Sequence, residues 1–439
     1  MLGGGTFTAQ NKVLPGAYIN FVSARRASAE LSDRGIVTMP LELDWGEEDA
    51  VFAVTPADIQ KDSLRIFGYD YSNDKMKGLR DLFANNIRML YAYRLNSGGD
   101  KAVNIYASAK YGGTRGNALN VVIAANADES TKFDVSLYLD GVKVDEQIGV
   151  DDAAALIDND YVVWVDTAEL EVTAGTPFTG GTNGTVTGES YQAYLSAIEN
   201  YSFNTMGAVT TDNTTKALIK AFCQRMRDQQ GVKFQAVLYD YASADYEGII
   251  SVMNKPSGAT GTAAAELVYW VTGAEGSCSV NRTLLNQKYS GEYSIDTAYT
   301  QAQLEDAIQA GKFAFHSVNG DVRVLCDINT YVSDSDEKAK ELFGENQSIR
   351  VIDQIANDIA VLFNSRYLGQ VPNDEAGRIS LWNDIVKHHQ SLQTIRAIEE
   401  FDPDDVKVEQ GTAKNAVVVE SAVTVVNAMS KLYMTVTVA

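Results

Sequence analysis

The stretch from Lys431 to Val438 alternates strictly between apolar and polar side chains. Such alternation predicts a β-strand with one buried face, and that face carries Leu432, Met434, Val436 and Val438. A second extended segment is predicted near the other end, with Tyr18, Ile19, Phe21 and Val22. Edge strands leave main-chain donors and acceptors unpaired. Two such segments therefore predict assembly by strand exchange between subunits.

Between these segments, short apolar runs alternate with amphipathic helical patterns. Strands are predicted at 35–43, 88–95, 207–210, 233–239 and 249–253. Helices are predicted at 73–85, 189–199, 212–229, 262–272 and 301–311. Asn319-Gly320 predicts a hairpin between 313–318 and 322–326. This order of elements predicts a mixed, partly parallel sheet covered by helices.

An all-β pattern interrupts this α/β order from about Lys101 to Gly184. Asp140-Gly141 separates two alternating runs and predicts a hairpin. Further strands are expected at 161–165 and 170–173. Because α/β sequence flanks this stretch on both sides, it is predicted to be an inserted domain.

The last module is predicted to combine two helices with three extended segments. The first helix begins near Asn346, and its apolar stripe is Ile352, Ile355, Ile359 and Leu362. The second is expected to begin after Asn373 as its cap and to end near Glu399, with Leu381, Ile385, Leu392 and Ile395 as its apolar face. Extended segments follow at 406–410, 416–420 and 431–438.

The predicted fold class is therefore a multidomain α+β or α/β protein with mixed-sheet core domains. We divide it into an N-terminal arm at 1–30, an α/β core at 31–100 with 186–345, an inserted acidic β-domain at 101–185, and a C-terminal domain at 346–439 that ends in a strand arm.

Charge is distributed unevenly along the chain, which has a net charge of −22. The stretch from Asn126 to Glu171 contains 13 acidic residues and two lysines, a net charge of −11. Residues 1–29 and 421–439 contain no Asp or Glu. The acidic total argues against nucleic-acid binding, because phosphate would be repelled. Ends without acidic residues either arise by chance in short segments or are buried against an acidic neighbour.

Signatures of catalysis, cofactors and metals are missing from the sequence. The glycine-rich stretches match neither the phosphate-binding loop nor the dinucleotide fingerprint, and no serine-hydrolase elbow or zinc-binding histidine pair occurs. Cys223, Cys278 and Cys326 form no metal-binding pair and are expected to be inert buried thiols. Adjacent His388 and His389 point about 100° apart on a helix, so one is expected to be buried and the other solvated. No cofactor, metal or catalytic residue is predicted.

The second helix of the last module offers a basic surface instead. Its polar face carries Arg378, Lys387, His388 and Arg396. Such a mixed-charge face is either simply solvated or grips an acidic partner.

Several segments resemble the contractile-tail sheath proteins of phages and phage-like particles of Gram-positive bacteria. They are Ile349–Ile359, Val371–Arg378, Asn427–Met434, Leu14–Phe21 and the loop Gly180–Gly184 followed by Tyr191. The resemblance implies a non-enzymatic subunit of a helical homopolymer of six-fold rings around a tail tube. It also implies that the C-terminal domain lies against the tube, that the inserted β-domain faces outward, that terminal strands join neighbours, and that contraction drives the tube through a bacterial envelope. The basic helix of the C-terminal domain is therefore the predicted tube-facing surface.

The partners implied are other copies of the chain, the tail tube protein, and the baseplate and tail terminator proteins. The start of the chain lacks the charged region and apolar core of a signal peptide, and no apolar run approaches the roughly 20 residues that span a bilayer. Assembly in the host cytoplasm into a virion tail or phage-like particle, without membrane insertion, is therefore expected. Two alternatives remain open, namely another self-assembling protein of a baseplate or surface layer, and an α/β enzyme.

Overall fold

The structure is a computed structural model that describes residues 31–336 and 338–438. The described chain divides into two compact units. The larger unit contains residues 33–357 and 425–438, and the smaller unit contains residues 31–32 and 358–424.

The strands and helices are numbered in chain order. The strands are β1 (Ile36–Leu41), β2 (Val51–Val54), β3 (Met89–Arg94), β4 (Lys101–Val103), β5 (Ala107–Gly112), β6 (Leu119–Ala125), β7 (Phe133–Leu139), β8 (Val142–Val150), β9 (Val162–Trp164), β10 (Thr173–Pro177), β11 (Thr205–Gly207), β12 (Gln235–Tyr239), β13 (Ile249–Val252), β14 (Lys312–Val318), β15 (Asp321–Cys326), β16 (Ile398–Glu399), β17 (Val406–Gln410), β18 (Val417–Ser421) and β19 (Thr424–Val425). The helices are α1 (Pro56–Lys61), α2 (Ser63–Phe67), α3 (Lys77–Phe83), α4 (Gly188–Ile198), α5 (Asn213–Gln224), α6 (Leu267–Ser277), α7 (Gln301–Gln309), α8 (Lys340–Phe343), α9 (Asn346–Leu362) and α10 (Glu375–Thr394).

An eight-stranded sheet forms the centre of the larger unit, in the order β15-β14-β13-β12-β11-β1-β3-β2. Its inner strands pair in parallel, for example β1 with both β3 and β11. The outermost pairs, β2 with β3 and β14 with β15, are antiparallel. The predicted mixed, partly parallel sheet is thus confirmed.

The sheet buries both of its faces, as parallel sheets generally do. Neighbouring residues of β12 show this. Val237 packs into a core that contains Trp270 of α6, whereas Leu238 packs into a second core with Tyr194 of α4 and Ile219 of α5. Near-continuous apolar runs such as β12 and β13 follow from this double burial.

Strands β4 to β10 form two further sheets, in the orders β10-β6-β7-β8 and β4-β5-β9. Residues of both sheets share one apolar core, for example Leu137 of β7 and Val162 of β9. The predicted hairpin between β7 and β8 is present, and Asp140 and Gly141 adopt φ of 50° and 78°. Asn319 and Gly320 join β14 to β15 in the same way, with φ of 51° and 87°.

In the smaller unit, α10 packs beside a two-stranded antiparallel sheet. Strands β17 and β18 pair in a register that sets Val408 opposite Val419. The indole N–H of Trp382 on α10 donates to the main-chain oxygen of Val406 (2.9 Å). This contact fixes the start of β17 against the helix.

Several predicted element ends were wrong. The side chain of Asp374, not Asn373, caps α10 by accepting from Gly377 N, and α10 ends at Thr394 rather than near Glu399. The strand expected at 170–173 lies at Thr173–Pro177. The helix expected at 262–272 is a short 3₁₀ turn followed by α6, and the one expected at 212–229 ends in a π-helical turn before Gly231. Caps depend on side-chain rotamers that a pattern does not determine.

The burial of α9 also differs from the expected apolar stripe. Ile352, Ile355 and Ile359 are only half-buried, and Leu362 alone of the predicted stripe is fully buried. The fully buried positions include Arg350 and Asp353. A pattern of apolar residues could not anticipate this, because these charged side chains find partners that lie far away in the sequence.

Candidate assembly surfaces

The carboxyl-terminal segment, residues 426–438, forms neither helix nor strand in the described part of the chain. Its apolar side chains are exposed, with Leu432 at 85%, Met434 at 74% and Val436 at 70%. The opposite face is also exposed, with Tyr433 at 88%. The predicted strand is therefore absent from the single chain. Strands need a partner for their main-chain groups, and no described strand supplies one.

The proposed pairing partners of this segment stay a prediction. Leu432, Met434, Val436 and Val438 are exposed and available for a contact with another molecule. Tyr18, Ile19, Phe21 and Val22 lie outside the described residues, so the structure does not test their role.

The sheet of β17 and β18 contains two strands, so each strand has one edge without a neighbour among the described residues. Consecutive residues of β18 are partly exposed, Val418 at 50% and Val419 at 40%. Because consecutive side chains of a strand point to opposite faces, apolar surface is exposed on both faces of β18. An isolated two-stranded sheet is marginally stable in water, and added strands would stabilise it.

The basic face predicted for α10 is smaller than expected. Lys387 is exposed, and Arg396 is exposed beyond the end of the helix with a φ of 59°. Arg378 is half-buried, and its guanidinium donates to the main-chain oxygen of Asn373 (3.3 Å). A further arginine, Arg366, pairs with Asp384 of α10 (2.6 Å). The pairing neutralises an acidic residue of this face, which the sequence did not indicate.

His388 does not belong to the exposed basic face, so this part of the prediction was wrong. His388 and His389 are both buried, each with 1% of its surface exposed. Nε2 of His388 lies 3.0 Å from Oδ2 of Asp358, and Nε2 of His389 lies 2.9 Å from Oγ of Ser421. The prediction of one buried and one solvated ring fails because each ring has its own polar partner on a different element.

The two rings also contact one another, with Nδ1 of His388 3.2 Å from Nδ1 of His389. The ring of His389 meets Phe401 edge-on. Burial and the neighbouring His388 lower the pKa of His389 to about 4. The pair thus connects α10 with Asp358 of α9 and with β18.

A buried cluster of charges lies at the start of α9 in the larger unit. The guanidinium of Arg350 forms ion pairs with Glu275 and with Asp327 (2.5 Å for Asp327). Asp327 also accepts from the amide of Asn346 (2.9 Å). Arg34 donates to the main-chain oxygens of Cys278 (2.8 Å) and Glu275 (3.0 Å). The cluster joins α9, α6 and the segment that leads into β1.

The two carboxyl groups of this cluster have pKa values that are shifted in opposite directions. Burial raises the pKa of Glu275 well above its usual range, and the charge of Asp327 adds to that effect. Burial alone would also raise the pKa of Asp327, but Arg350 holds it at about 2. Arg350 therefore favours the ionised form of Asp327, whereas burial and Asp327 disfavour that of Glu275.

The first turn of α9 also binds the root of the carboxyl-terminal segment. The side-chain N–H of Gln347 donates to the main-chain oxygen of Val426 (3.1 Å), and Oε1 of Gln347 accepts from Ala428 N (3.0 Å). The hydroxyl of Ser348 donates to Oδ1 of Asn427 (3.0 Å). Each of three consecutive residues is thus held by a polar group of α9.

The cysteines are isolated from one another. Cys223 and Cys278 are buried, whereas Cys326 is only partly buried, so the expectation of three buried thiols holds for two. Burial raises the pKa of Cys223 to about 12 and those of Cys278 and Cys326 to about 11. Thiols with such raised pKa values are poor nucleophiles at neutral pH.

The polar groups of one surface cavity are paired with each other. This cavity of about 460 Å³ in the larger unit is lined by Arg80, Asp81 and Glu292, among others. Arg80 pairs with Glu292 (2.6 Å), and Asp81 accepts from the main chain of Glu292 (2.7 Å).

Across residues 31–336 and 338–438, no group of three or more His, Cys, Asp or Glu side chains could hold a metal ion. None of the helices described is long and apolar enough to cross a membrane.

Comparisons with known proteins match nearly the whole chain to one family. Four family models match consecutive stretches: the tail sheath protein Gp18 domain III N-terminal region at 34–95, the phage tail sheath protein beta-sandwich domain at 96–183, the phage tail sheath protein central domain at 184–330, and the phage tail sheath C-terminal domain at 338–439. A Bacillus subtilis relative, the phage-like element PBSX protein XkdK, is 30% identical over 100% of both chains. The chain belongs to the phage tail sheath protein family.

Solved structures agree with this membership. The sheath tail protein from Desulfitobacterium hafniense is 37% identical, with a TM-score of 0.83 over 95% of this chain and 99% of that chain. The sheath tail protein Lin1278 from Listeria innocua is 29% identical, with a TM-score of 0.77 over 91% of this chain and 93% of that one. The helical sheath of the anti-feeding prophage in its contracted state shares the fold alone, at 12% identity and a TM-score of 0.56 over 97% of this chain and 99% of that chain.

These findings confirm three of the predictions from sequence. The resemblance to contractile-tail sheath proteins is confirmed, and so is the mixed α/β multidomain class. The chain is a subunit of a contractile tail sheath and a component of a phage or phage-like tail.

Proposed function

We propose that this sheath subunit polymerises into six-fold rings around a tail tube, joined by strands that subunits exchange. The supporting observation is the exposure of the carboxyl-terminal segment, whose apolar side chains are 70% to 89% exposed from Leu432 to Val438. Burying one such side chain stabilises a complex by roughly 1.5–3 kcal/mol. A contiguous exposed apolar surface of this kind is typical of an interaction site.

The acceptor that we propose is the sheet of β17 and β18 in another copy. Its outer edges can accept an added strand, and β18 offers apolar Val418 and Val419 on its two faces. Pairing of this type uses main-chain hydrogen bonds, with apolar side chains adding affinity. Tyr18, Ile19, Phe21 and Val22 of the N-terminal arm are proposed to add a second strand in the same manner.

Membership of the family supports a proposal for the remaining partners. We propose that Arg378, Lys387 and Arg396 face the tube, that the acidic β-domain at 101–185 faces outward, and that the ends of the polymer contact baseplate and tail terminator proteins. The subunit is proposed to assemble in the host cytoplasm and to act without catalysis.

Contraction is proposed to move the domains as rigid bodies while the exchanged strands stay paired. Main-chain hydrogen bonds do not depend on side-chain rearrangement, so such links can persist through a large motion. The extended array must then be metastable, and new contacts between subunits in the contracted array supply the work that drives the tube through an envelope.

Truncation of the carboxyl-terminal segment tests this proposal. Removal of residues 431–439 should leave a folded monomer, because in the described structure Leu432–Val438 add no buried contact. The same chain should no longer form tubes in electron micrographs. Normal tubes from the truncated chain would refute strand exchange.

Substitutions on the two faces of the segment provide a matched comparison. In a paired strand, Leu432, Met434 and Val436 share one face, and Thr435 and Thr437 share the other. Replacing Met434 and Val436 by Asp should abolish tube formation, whereas the same replacement of Thr435 and Thr437 should weaken it much less. Equal effects of the two double variants would argue against the predicted apolar face.

A further inference from the structure

The carboxamide of Gln347 binds the root of the carboxyl-terminal segment in the way that a neighbouring strand would. Its N–H donates to Val426 O and its oxygen accepts from Ala428 N, at 3.1 and 3.0 Å. These two main-chain groups belong to residues i and i+2, the spacing that a strand presents along one edge. The side chain therefore holds Val426–Ala428 in a defined register.

Ser348 adds a contact to the residue between them. Its hydroxyl donates to Oδ1 of Asn427 (3.0 Å). Gln347 and Ser348 are themselves 4% and 0% exposed, so both side chains are packed inside the protein. The root is thus held at three consecutive residues by two buried side chains.

The first turn of α9 is rigid because the buried charge cluster holds it. Asn346 is hydrogen-bonded to Asp327 (2.9 Å) and accepts from Gln235 of β12 (2.9 Å). Arg350, one turn further along, pairs with Asp327 (2.5 Å). Gln347 and Ser348 consequently stand on a helix end that is fixed to the central sheet.

The segment becomes free of the subunit shortly after this root. The charge of Lys431 acts on Glu345 and Cys326, which places Lys431 near the start of α9. From Leu432 onward the side chains are exposed. The root is thus held through hydrogen bonds, whereas side chains are exposed from Asn427 onward, with Met429 at 100%.

We propose that Gln347 and Ser348 are positioning residues for assembly. They fix the point and direction at which the segment leaves its subunit, so that Leu432–Val438 reach a second copy of this chain. The inference rests on the proposed strand exchange and deepens it. A segment that leaves in one direction loses less conformational freedom when it pairs, and it therefore binds more tightly.

The replacement Gln347→Met tests this inference. Methionine has nearly the same length and suits a buried site, but it forms neither hydrogen bond. We expect the protein concentration needed for tube formation to rise at least tenfold, and the amide of Ala428 to exchange its hydrogen at least tenfold faster. The matched control is Gln390→Met on α10, an exposed position, which should change neither measurement.

The outcomes separate this inference from the proposal beneath it. If the 431–439 truncation abolishes tubes but Gln347→Met assembles like the wild type despite faster exchange at Ala428, the positioning role is wrong and strand exchange stands. If the truncated chain forms normal tubes, strand exchange itself is wrong.

Should Gln347→Met fail to fold, Ser348→Ala and Asn427→Ala decide, since each removes only the hydrogen bond between Ser348 and Asn427. A severalfold rise in the assembly concentration supports the role, and an unchanged value overturns it.

Discussion

Nδ1 of His388 lies 3.2 Å from Nδ1 of His389, so a single proton must lie between these two buried atoms. One ring donates and the other accepts, because two N–H groups cannot face one another at this distance. The far nitrogens are also engaged, by Asp358 and by Ser421. The smaller unit therefore contains a hydrogen-bonded chain that tolerates only certain protonation states.

Acid should destabilise the smaller unit through this pair. The pKa of His389 is lowered to about 4, so the unfolded chain binds a proton that the folded chain does not between about pH 6.5 and 4. The free energy of unfolding therefore falls as the pH falls through this window, by roughly 2.5 kcal/mol at about pH 4.5. Denaturant unfolding of the wild type and of His389→Gln, followed by tryptophan fluorescence at several pH values, measures this slope. A variant with the wild-type slope would contradict the assignment to His389.

Loss of the buried Arg350 should destabilise the larger unit severely. Arg350→Met leaves Glu275 and Asp327 buried without their cation, and removing one partner of a buried ion pair costs about 3–5 kcal/mol. Arg225→Met is the matched control, because Arg225 pairs with Glu199 near the surface and such pairs contribute little. Thermal unfolding compares the two. Similar losses of stability in both variants would show that the cluster is not a structural centre.

Charge reversal of Arg378, Lys387 and Arg396 to Glu should weaken binding to the tail tube. The introduced glutamates would repel an acidic partner. The loss of binding should become smaller as salt is added, because exposed charges are screened. Co-sedimentation of the variant with tube should fall at least tenfold at about 0.15 M salt. Reversal of Lys101, Lys132 and Lys143 in the β-domain changes the net charge equally and should leave sedimentation unchanged. Equal losses in both triple variants would point to net charge rather than to a tube-facing surface.

Deletion of the β-domain should spare assembly if that domain faces outward. Removal of residues 100–182 cuts the chain where Asp100 and Thr182 are hydrogen-bonded through their main chains (3.0 Å), so their neighbours can be joined directly. Because Trp45 is buried in the core of the deleted domain, folding of the variant is checked first by circular dichroism. A cut at Thr114 would instead divide the core that β4 and β5 share with β6 and β9. Tubes of smaller outer diameter are expected in electron micrographs. Failure of a folded deletion variant to form tubes would assign the domain a role in packing between subunits.

Hairpins were predictable from sequence because their chemistry is local. Asp140-Gly141 and Asn319-Gly320 occupy the positive φ values that these residue types tolerate best. The strong apolar runs of β12 and β13 likewise predicted central strands, since both faces of the sheet are buried. These features depend on a few adjacent residues, which a sequence displays directly.

Contacts between residues that lie far apart in the sequence could not be predicted from local patterns. His388 has the spacing of a surface residue on α10, yet Asp358 of α9 and the neighbouring His389 hold it inside. Arg350 stands between apolar Ile349 and Val351, and that unusual placement was the available sign of a buried charge. Its partners, Glu275 and Asp327, belong to other elements.

The root at Val426–Ala428 has a consequence for how such sheaths diverge. The two hydrogen bonds of Gln347 go to main-chain atoms of Val426 and Ala428, so they do not depend on which side chains follow. Only Asn427 is recognised through its own side chain. The hydrogen bonds of this socket therefore place no requirement on the residues beyond Asn427, which form a separate tag whose sequence is set by the surface that it pairs with. Two sheath proteins that keep the socket could exchange their tags and, with them, the choice of which subunits co-assemble.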